Sequence, residues 1–96
     1  MVTLVNQLTV TGDPAQFEEI SARMSGFMAE QPGYLSHRLL RSLRQPEVYV
    51  EVAEWETADA HGAALRSDTF QSLIRELAQV VSKPSPGLYE DVKAAQ

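Results

Sequence analysis

Apolar and polar residues alternate along the first ten positions of the chain. The even positions are Val2, Leu4, Asn6, Leu8 and Val10, and the odd ones are Thr3, Val5, Gln7 and Thr9. A period of two predicts a strand with one buried face. Asn6 interrupts the apolar row, and leaving a buried amide without a hydrogen-bond partner costs about 1–3 kcal/mol. We therefore expect Asn6 to be paired, either with a bulged strand or a helix end, or with an oxygen of a bound substrate.

A change to helical spacing follows the first strand. Asp13 is placed as an N-cap and Pro14 as the first helical residue. The helix should end before Pro32 and Gly33. Apolar residues recur at intervals of three and four and predict one buried stripe: Phe17, Ile20, Met24, Phe27 and Met28.

The remaining chain contains a hairpin, helical segments and one further strand. Extended patterns at Tyr34–Leu43 and Val48–Trp55 flank a short turn and predict a β-hairpin. Thr57 can cap a helix over Ala58–Arg66, and Ser67 and Asp68 can cap another from Thr69 to about Val80, unless the two form one kinked unit. The segment Lys83–Val92 contains Pro84 and Pro86, which are tolerated in an edge strand.

The order β-α-β-β-α-β predicts a ferredoxin-like α+β fold with an antiparallel sheet and helices on one face. We expect a single domain over residues 1–96, with its core at about 2–92. The opposite face of the sheet would be bare, so a second copy packed against it is expected, giving a homodimer.

Composition narrows the possible partners. The net charge is −5, and the eight Lys and Arg residues are scattered singly, which argues against nucleic acid. The apolar runs are too short to span a membrane, and the N-terminus lacks a secretory pattern, so a cytoplasmic location is expected. Without cysteine, chemistry must come from oxygen, nitrogen and aromatic groups.

The two histidines are the candidate proton acceptors, because imidazole titrates near neutral pH. His61 follows the third strand in a helix and is the first choice for a general base; an exposed helix histidine is the alternative. His37 alternates with Leu35 and Leu39 and would lie on a partly buried strand face. A metal site built from these histidines and Glu51 or Glu54 has no supporting ligand spacing, so we expect no metal.

Aromatic and apolar residues could bind a flat substrate. Trp55 could form a wall for a polycyclic compound or simply pack in the core. It shares a strand face with Tyr49, Glu51 and Ala53, and the pattern leaves open whether that face or the valine face lines a cleft. Further candidates for substrate binding are Tyr49, Arg38, Met24, Phe27 and Met28, although core packing also explains the last three.

Together these segments resemble the antibiotic biosynthesis monooxygenase family. The resemblance lies in the order VNQLTV, helix, PGYLSHRLLRSL, YVEVAEWE and a helix containing RSDTF, from about Val2 to Tyr89. It implies a dimeric α+β barrel with an active site between sheet and helices. Several members oxidise phenolic or anthrone-like polyketide intermediates with molecular oxygen and without metal, flavin or heme.

A second branch of that family binds and degrades heme. Asn6 and the SDTF segment match this branch, but Ala64 stands at its tryptophan position and Ile74 at its iron-binding histidine position. The resemblance therefore implies a cofactor-free monooxygenase that converts an aromatic phenol or anthrone to a quinone, with Asn6 and Trp55 holding the substrate and His61 or His37 moving the proton. The alternatives are a polyketide cyclase or isomerase using the same cleft, or a non-catalytic ligand-binding dimeric module.

Overall fold

The protein is described by a computed structural model in which residues 1–93 are placed. Four strands and three helices follow each other as β1 Val2–Val10, α1 Pro14–Met28, β2 Tyr34–Arg41, β3 Val48–Trp55, α2 Ala58–Leu65, α3 Asp68–Leu77 and β4 Val81–Tyr89. The strands form one antiparallel sheet in the order β2-β3-β1-β4. The predicted ferredoxin-like α+β fold is confirmed, including the hairpin and the edge position of the last strand.

Each helix begins at a capping residue that the sequence predicted. The Asp13 Oδ1 accepts a hydrogen bond from the Ala15 N–H at 3.0 Å, and Pro14 follows at the first helical position. Thr57 caps α2 and Ser67 caps α3, each accepting from a backbone N–H three residues later at 3.1 Å. Because α2 ends at Leu65 and Ser67 starts a new helix, the segment forms two helices and not one kinked unit.

The turn before β2 needs a glycine. Gly33 has a φ of 89°, in the left-handed region that side chains disfavour, and a Cβ there would lie 2.5 Å from the Cβ of Ala60. Its carbonyl accepts a hydrogen bond from the Glu56 N–H at 2.7 Å. The turn therefore fixes the start of β2 against the end of β3 and the first turn of α2.

The edge strand β4 begins and ends earlier than predicted, at Val81 and Tyr89. Its pairing with β1 shifts register between Gln7 and Thr9, and Lys83 has a φ of 53°, as expected of an irregular strand. Pro84 and Pro86 have no N–H to donate, and they are tolerated because β4 lies at the edge of the sheet.

Two buried clusters lie between the sheet and the helices. One contains Leu8, Val10, Phe17, Ile20, Tyr49 and Val80, and the other contains Ala53, Trp55 and Ala64. In the β1–β3 register, Leu8 pairs with Tyr49, Asn6 with Glu51, and Leu4 with Ala53. The polar pair of Asn6 and Glu51 therefore lies between the two hydrophobic clusters.

The other face of the sheet carries the valines of β3. Val52 pairs with Val5 and Arg38, and Val50 pairs with Leu40. Leu40 is 42% exposed, and no helix is placed over this face among residues 1–93. None of the helices in this part of the chain has the length and apolarity required to cross a bilayer.

Candidate active site

A cavity of about 340 Å³ separates the sheet from the helices. Its floor is formed by residues of all four strands, including Leu4, Asn6, Glu51 and Trp55, and its other walls come from α1, α2 and α3. Most of these side chains are apolar, so the polar side chains among them stand out. The volume lies within the range of small-molecule binding sites in proteins.

The structure shows which face of β3 meets this cavity. Glu51, Ala53 and Trp55 line it, whereas the valine row lies on the opposite face of the sheet. Trp55 is 1% exposed, and its ring meets that of Tyr34 edge to face, with centroids 5.7 Å apart. Both residues line the cavity, and the Trp55 ring is held almost wholly within the packed wall.

Asn6 is held by the edge strand. Its Oδ1 accepts a hydrogen bond from the Ser85 N–H at 3.0 Å, between the two prolines of β4. An amide oxygen can only accept and its nitrogen can only donate. The bond therefore fixes the orientation of the amide and leaves the Asn6 Nδ2 as a donor in a side chain that lines the cavity.

Opposite Asn6, on β3, lies Glu51. Its Oε2 accepts a hydrogen bond from the His37 Nε2 at 3.1 Å, and the His37 Nδ1 is 3.2 Å from the Ser25 Oγ. Since an ionised carboxylate only accepts, the His37 Nε2 carries the hydrogen in this pair. Both ring nitrogens of His37 are thus occupied by protein groups.

His61 is the buried histidine of the site, at 5% exposure. Its ring meets that of Trp55 with centroids 5.5 Å apart, and its Nε2 has no hydrogen-bond partner within the described residues. Burial lowers the pKa of His61, and the nearby Glu51 opposes this shift. The structure thus leaves a buried, unpaired Nε2 in a side chain that lines the cavity.

Five other predicted residues fall into two groups. Met24 and Met28 line the cavity, so α1 supplies part of an adaptable apolar wall. Phe27, Tyr49 and Arg38 do not line it, so this cavity gives no support to their predicted role in substrate binding, which stays a prediction.

Each of the three lies outside the cavity for a local reason. Phe27 follows Ser25 by two positions and so lies on nearly the opposite side of α1. The Tyr49 ring packs on Phe17 with centroids 4.7 Å apart, and its hydroxyl donates to Glu18 at 3.3 Å. Arg38 is exposed on the opposite face of the sheet.

Glu51 was considered in the sequence only as a ligand of a disfavoured metal site, and Ser25 was not singled out. Glu51 shared a strand face with Trp55, and a carboxylate in a row with Ala53 and Trp55 was the available signal. Ser25 precedes Met28 by three positions, so it shares the cavity side of α1. Residues of α3 that also line the cavity are Phe70, Ile74 and Leu77. Within residues 1–93, no three His, Asp or Glu side chains are grouped in a way that could hold a metal ion.

The fold and the site together define a class of protein. It is a ferredoxin-like α+β domain that encloses an apolar cavity with an oriented amide and a buried imidazole. The sequence profile of the antibiotic biosynthesis monooxygenase family matches residues 1–76. The chain belongs to this family, which confirms the resemblance seen in the sequence.

Two similar proteins come from Streptomyces nogalater. Deoxynogalonate monooxygenase is 45% identical over 69 residues, which are 72% of this chain and 58% of that relative, so the match spans less than two thirds of its length. The crystal structure of SnoaB, a cofactor-independent oxygenase, superposes with a TM-score of 0.92 at 36% identity and covers 97% of this chain and 94% of that one.

More distant structures share the same architecture. A Caulobacter crescentus protein of this family has a TM-score of 0.87 at 22% identity, covering 96% of this chain and 90% of its own. At that identity the likeness shows the fold alone.

Proposed function

We propose that the protein is a cofactor-independent monooxygenase that oxidises an aromatic polyketide-type phenol or anthrone to a quinone with molecular oxygen. The observation that carries the proposal is the pairing of an oriented amide donor, Asn6, with a neutral, unpartnered imidazole, His61, in one apolar cavity. Family membership and the similarity to a cofactor-independent oxygenase support it.

The first step of the proposed reaction is removal of a substrate proton. The His61 imidazole accepts this proton, and the electron pair stays on the substrate as a phenolate or enolate. Asn6 donates a hydrogen bond to the oxyanion, and such a bond to a charged oxygen is worth roughly 1.5–3 kcal/mol. At 1.36 kcal/mol per unit, this would lower the pKa of a bound phenol by about one to two units.

The anion then reacts with oxygen. Ground-state oxygen is a triplet and reacts slowly with closed-shell molecules, but an electron-rich anion can transfer one electron to it first. One oxygen atom enters the oxidised carbon as the new carbonyl, and the other leaves as water with two hydrogens. In an anthrone both hydrogens come from that carbon, and in a phenol one comes from that carbon and one from the hydroxyl. The protein binds the substrate, takes the proton and stabilises the anion.

No prosthetic group is part of this proposal. SnoaB is described as cofactor-independent, which supports the same for this chain. The residues also fit heme degradation poorly, because Ala64 is 4% exposed in the cluster with Trp55 and the apolar side chain of Ile74 lines the cavity.

The decisive experiment compares the wild type with Asn6→Asp in an oxygen-uptake assay using anthrone or dihydroxynaphthalene. Aspartate can still accept the Ser85 N–H, so β4 keeps its anchor, but it cannot donate to an oxyanion. We expect kcat to fall by about 100-fold or more, as for loss of one oxyanion donor. Full activity in Asn6→Asp, or no uptake by the wild type above background, would contradict the proposal.

Running the same assay without oxygen tests the alternatives. Turnover that is unchanged under anaerobic conditions would indicate a cyclase or isomerase acting in the same cavity. Ligand binding without turnover in either condition would indicate a non-catalytic binding module.

We also propose that the protein forms a homodimer through the valine face of the sheet. Leu40, Val50 and Val52 on this face are at least partly exposed, and apolar surface of this kind is commonly buried by a second copy. Light scattering at micromolar concentration should give the dimer mass, and a monomer would contradict this. The cytoplasmic location stays a prediction.

A further inference from the structure

The charged side chain of the cavity, Glu51, has no part in the mechanism above. A carboxylate beside a developing oxyanion would repel it, so its position demands a separate explanation. Glu51 on β3 is paired with Asn6 on the neighbouring strand β1. Directly paired residues on antiparallel strands have Cβ atoms about 4.5–5.5 Å apart. An acceptor and a donor are thus placed side by side on the cavity floor.

We propose that Glu51 recognises a second hydroxyl group of the substrate, next to the oxygen that Asn6 holds. This inference deepens the proposed function and rests on it for the class of ligand. A carboxylate oxygen accepts from a hydroxyl and gives nothing to a carbonyl or an ether oxygen. The preferred ligand is therefore an aromatic compound with two oxygen substituents about 5 Å apart, as in a 1,3-diol, one of which stays protonated.

Hydrogen bonds from neighbouring side chains hold the Glu51 carboxylate in position for this role. His37 binds the Glu51 Oε2 at 3.1 Å, and Ser25 lies 3.2 Å from the far nitrogen of the same imidazole. The Glu51 side chain is 26% exposed and that of His37 14%, so most of the pair is shielded from bulk solvent. His37 is a positioning residue, because both of its nitrogens are already engaged.

The arrangement also removes the conflict of charges. The oxyanion lies toward Asn6, where an N–H is available, while the neutral hydroxyl lies toward Glu51. A ligand placed the other way round would bring two negative oxygens together and leave the Asn6 Nδ2 without a charged acceptor. Glu51 therefore selects both the hydroxyl pattern and the direction in which the substrate binds.

The test measures binding under anaerobic conditions, so that it is independent of oxygenation. The probes are 1,3-dihydroxynaphthalene and 3-methoxy-1-naphthol, which differ in whether the second oxygen can donate. We expect the wild type to bind the diol about tenfold or more tightly than the ether, because a buried acceptor that loses its donor is left unpaired. In Glu51→Gln the ratio of dissociation constants should fall below about three, since the carboxamide can donate to the ether oxygen.

Matched variants separate recognition from general damage. Glu51→Gln keeps the shape of the side chain, so any steric penalty on the methyl group is the same in both proteins. Glu56→Gln, an exposed carboxylate just after β3, should keep the wild-type ratio. If Glu51→Gln folds poorly by circular dichroism, His37→Leu provides the second test, because leucine cannot donate to Glu51, and it should lower the ratio to an intermediate value.

Three results would overturn the inference: an unchanged ratio in a folded Glu51→Gln or His37→Leu, equal binding of both probes by the wild type, or no binding of either probe. Oxygen uptake is read separately. A protein that selects the diol but consumes no oxygen would retain the inference and lose the proposed function. A protein that oxidises phenols without this selectivity would retain the proposed function and lose the inference.

Discussion

The two histidines of the cavity lie in contrasting surroundings. His37, on β2, has Ser25 on one ring nitrogen and Glu51 on the other. His61, on α2, is buried against Trp55 with an Nε2 that has no partner within the described residues. A satisfied imidazole orients its neighbours, whereas an unsatisfied one at a cavity wall has a lone pair or an N–H to offer a ligand. The contrast supports the proposal that the first positions its neighbours and the second transfers the proton.

The largest expected effect comes from removing the free imidazole. His61→Gln should lower kcat for oxygen uptake by about 100-fold or more, because general acid–base catalysis contributes about 10²–10⁴. The matched substitution His37→Gln should lower kcat at saturating substrate by less than about tenfold, since a glutamine amide can still donate to Glu51. Steady-state kinetics on both variants make the comparison, and equal losses in kcat would show that the two histidines do not differ in role.

Local patterns were enough to predict the fold. The alternation in β1, the caps at Asp13, Thr57 and Ser67, and the prolines of the last strand each reflect chemistry within a few residues. The boundaries of β4 were less predictable, because its register depends on a bulge against Gln7 and Thr9 that arises only once the strands pair.

The site could be predicted only in part. Asn6 stood out because it broke an apolar row, but its bond to Ser85 joins residues 79 positions apart in sequence. Glu51 gave a weaker signal, because a charged strand residue is usually solvated. Which face of β3 meets the cavity depends on where the helices pack, and this also placed Tyr49 beside Phe17 and outside the cavity.

The burial of His61 should also appear in the pH dependence of stability. Burial lowers the pKa of His61. Below the ordinary histidine value of about 6.5, the unfolded chain therefore binds a proton at this residue that the folded chain does not bind. Stability is therefore complete above that value and decreases as the pH falls toward the pKa of the folded state. Glu51 acts in the opposite direction and makes the decrease smaller.

Urea unfolding between about pH 7 and pH 5 measures this effect. The midpoint for the wild type should fall on acidification, and His61→Leu, which has nothing to protonate at this position, should lose less over the same interval. Parallel curves for the two proteins would show that His61 is not protected from protonation in the folded state. His37→Gln is the companion variant, because it removes the other imidazole and leaves His61 in place.

The smallest expected effect concerns the support behind His37. Ser25→Ala removes the contact between the Ser25 Oγ and the His37 Nδ1 and should lower the free energy of unfolding by about 1 kcal/mol or less. His37 keeps its bond to Glu51, and both Ser25 and His37 also line a shallow groove on the surface. Water in that groove can replace the lost hydroxyl as a partner of the ring nitrogen.

Ser21→Ala is the matched control for this measurement, because Ser21 lies one helical turn earlier and borders the same cavity and groove. The control should change stability by no more than about 0.5 kcal/mol, as surface substitutions usually do. A loss above about 2 kcal/mol in Ser25→Ala alone would mean that water cannot reach the His37 Nδ1. Both histidines would then be shielded from solvent, and they would differ only in their hydrogen-bond partners. The contrast between them would depend on the unpaired Nε2 of His61.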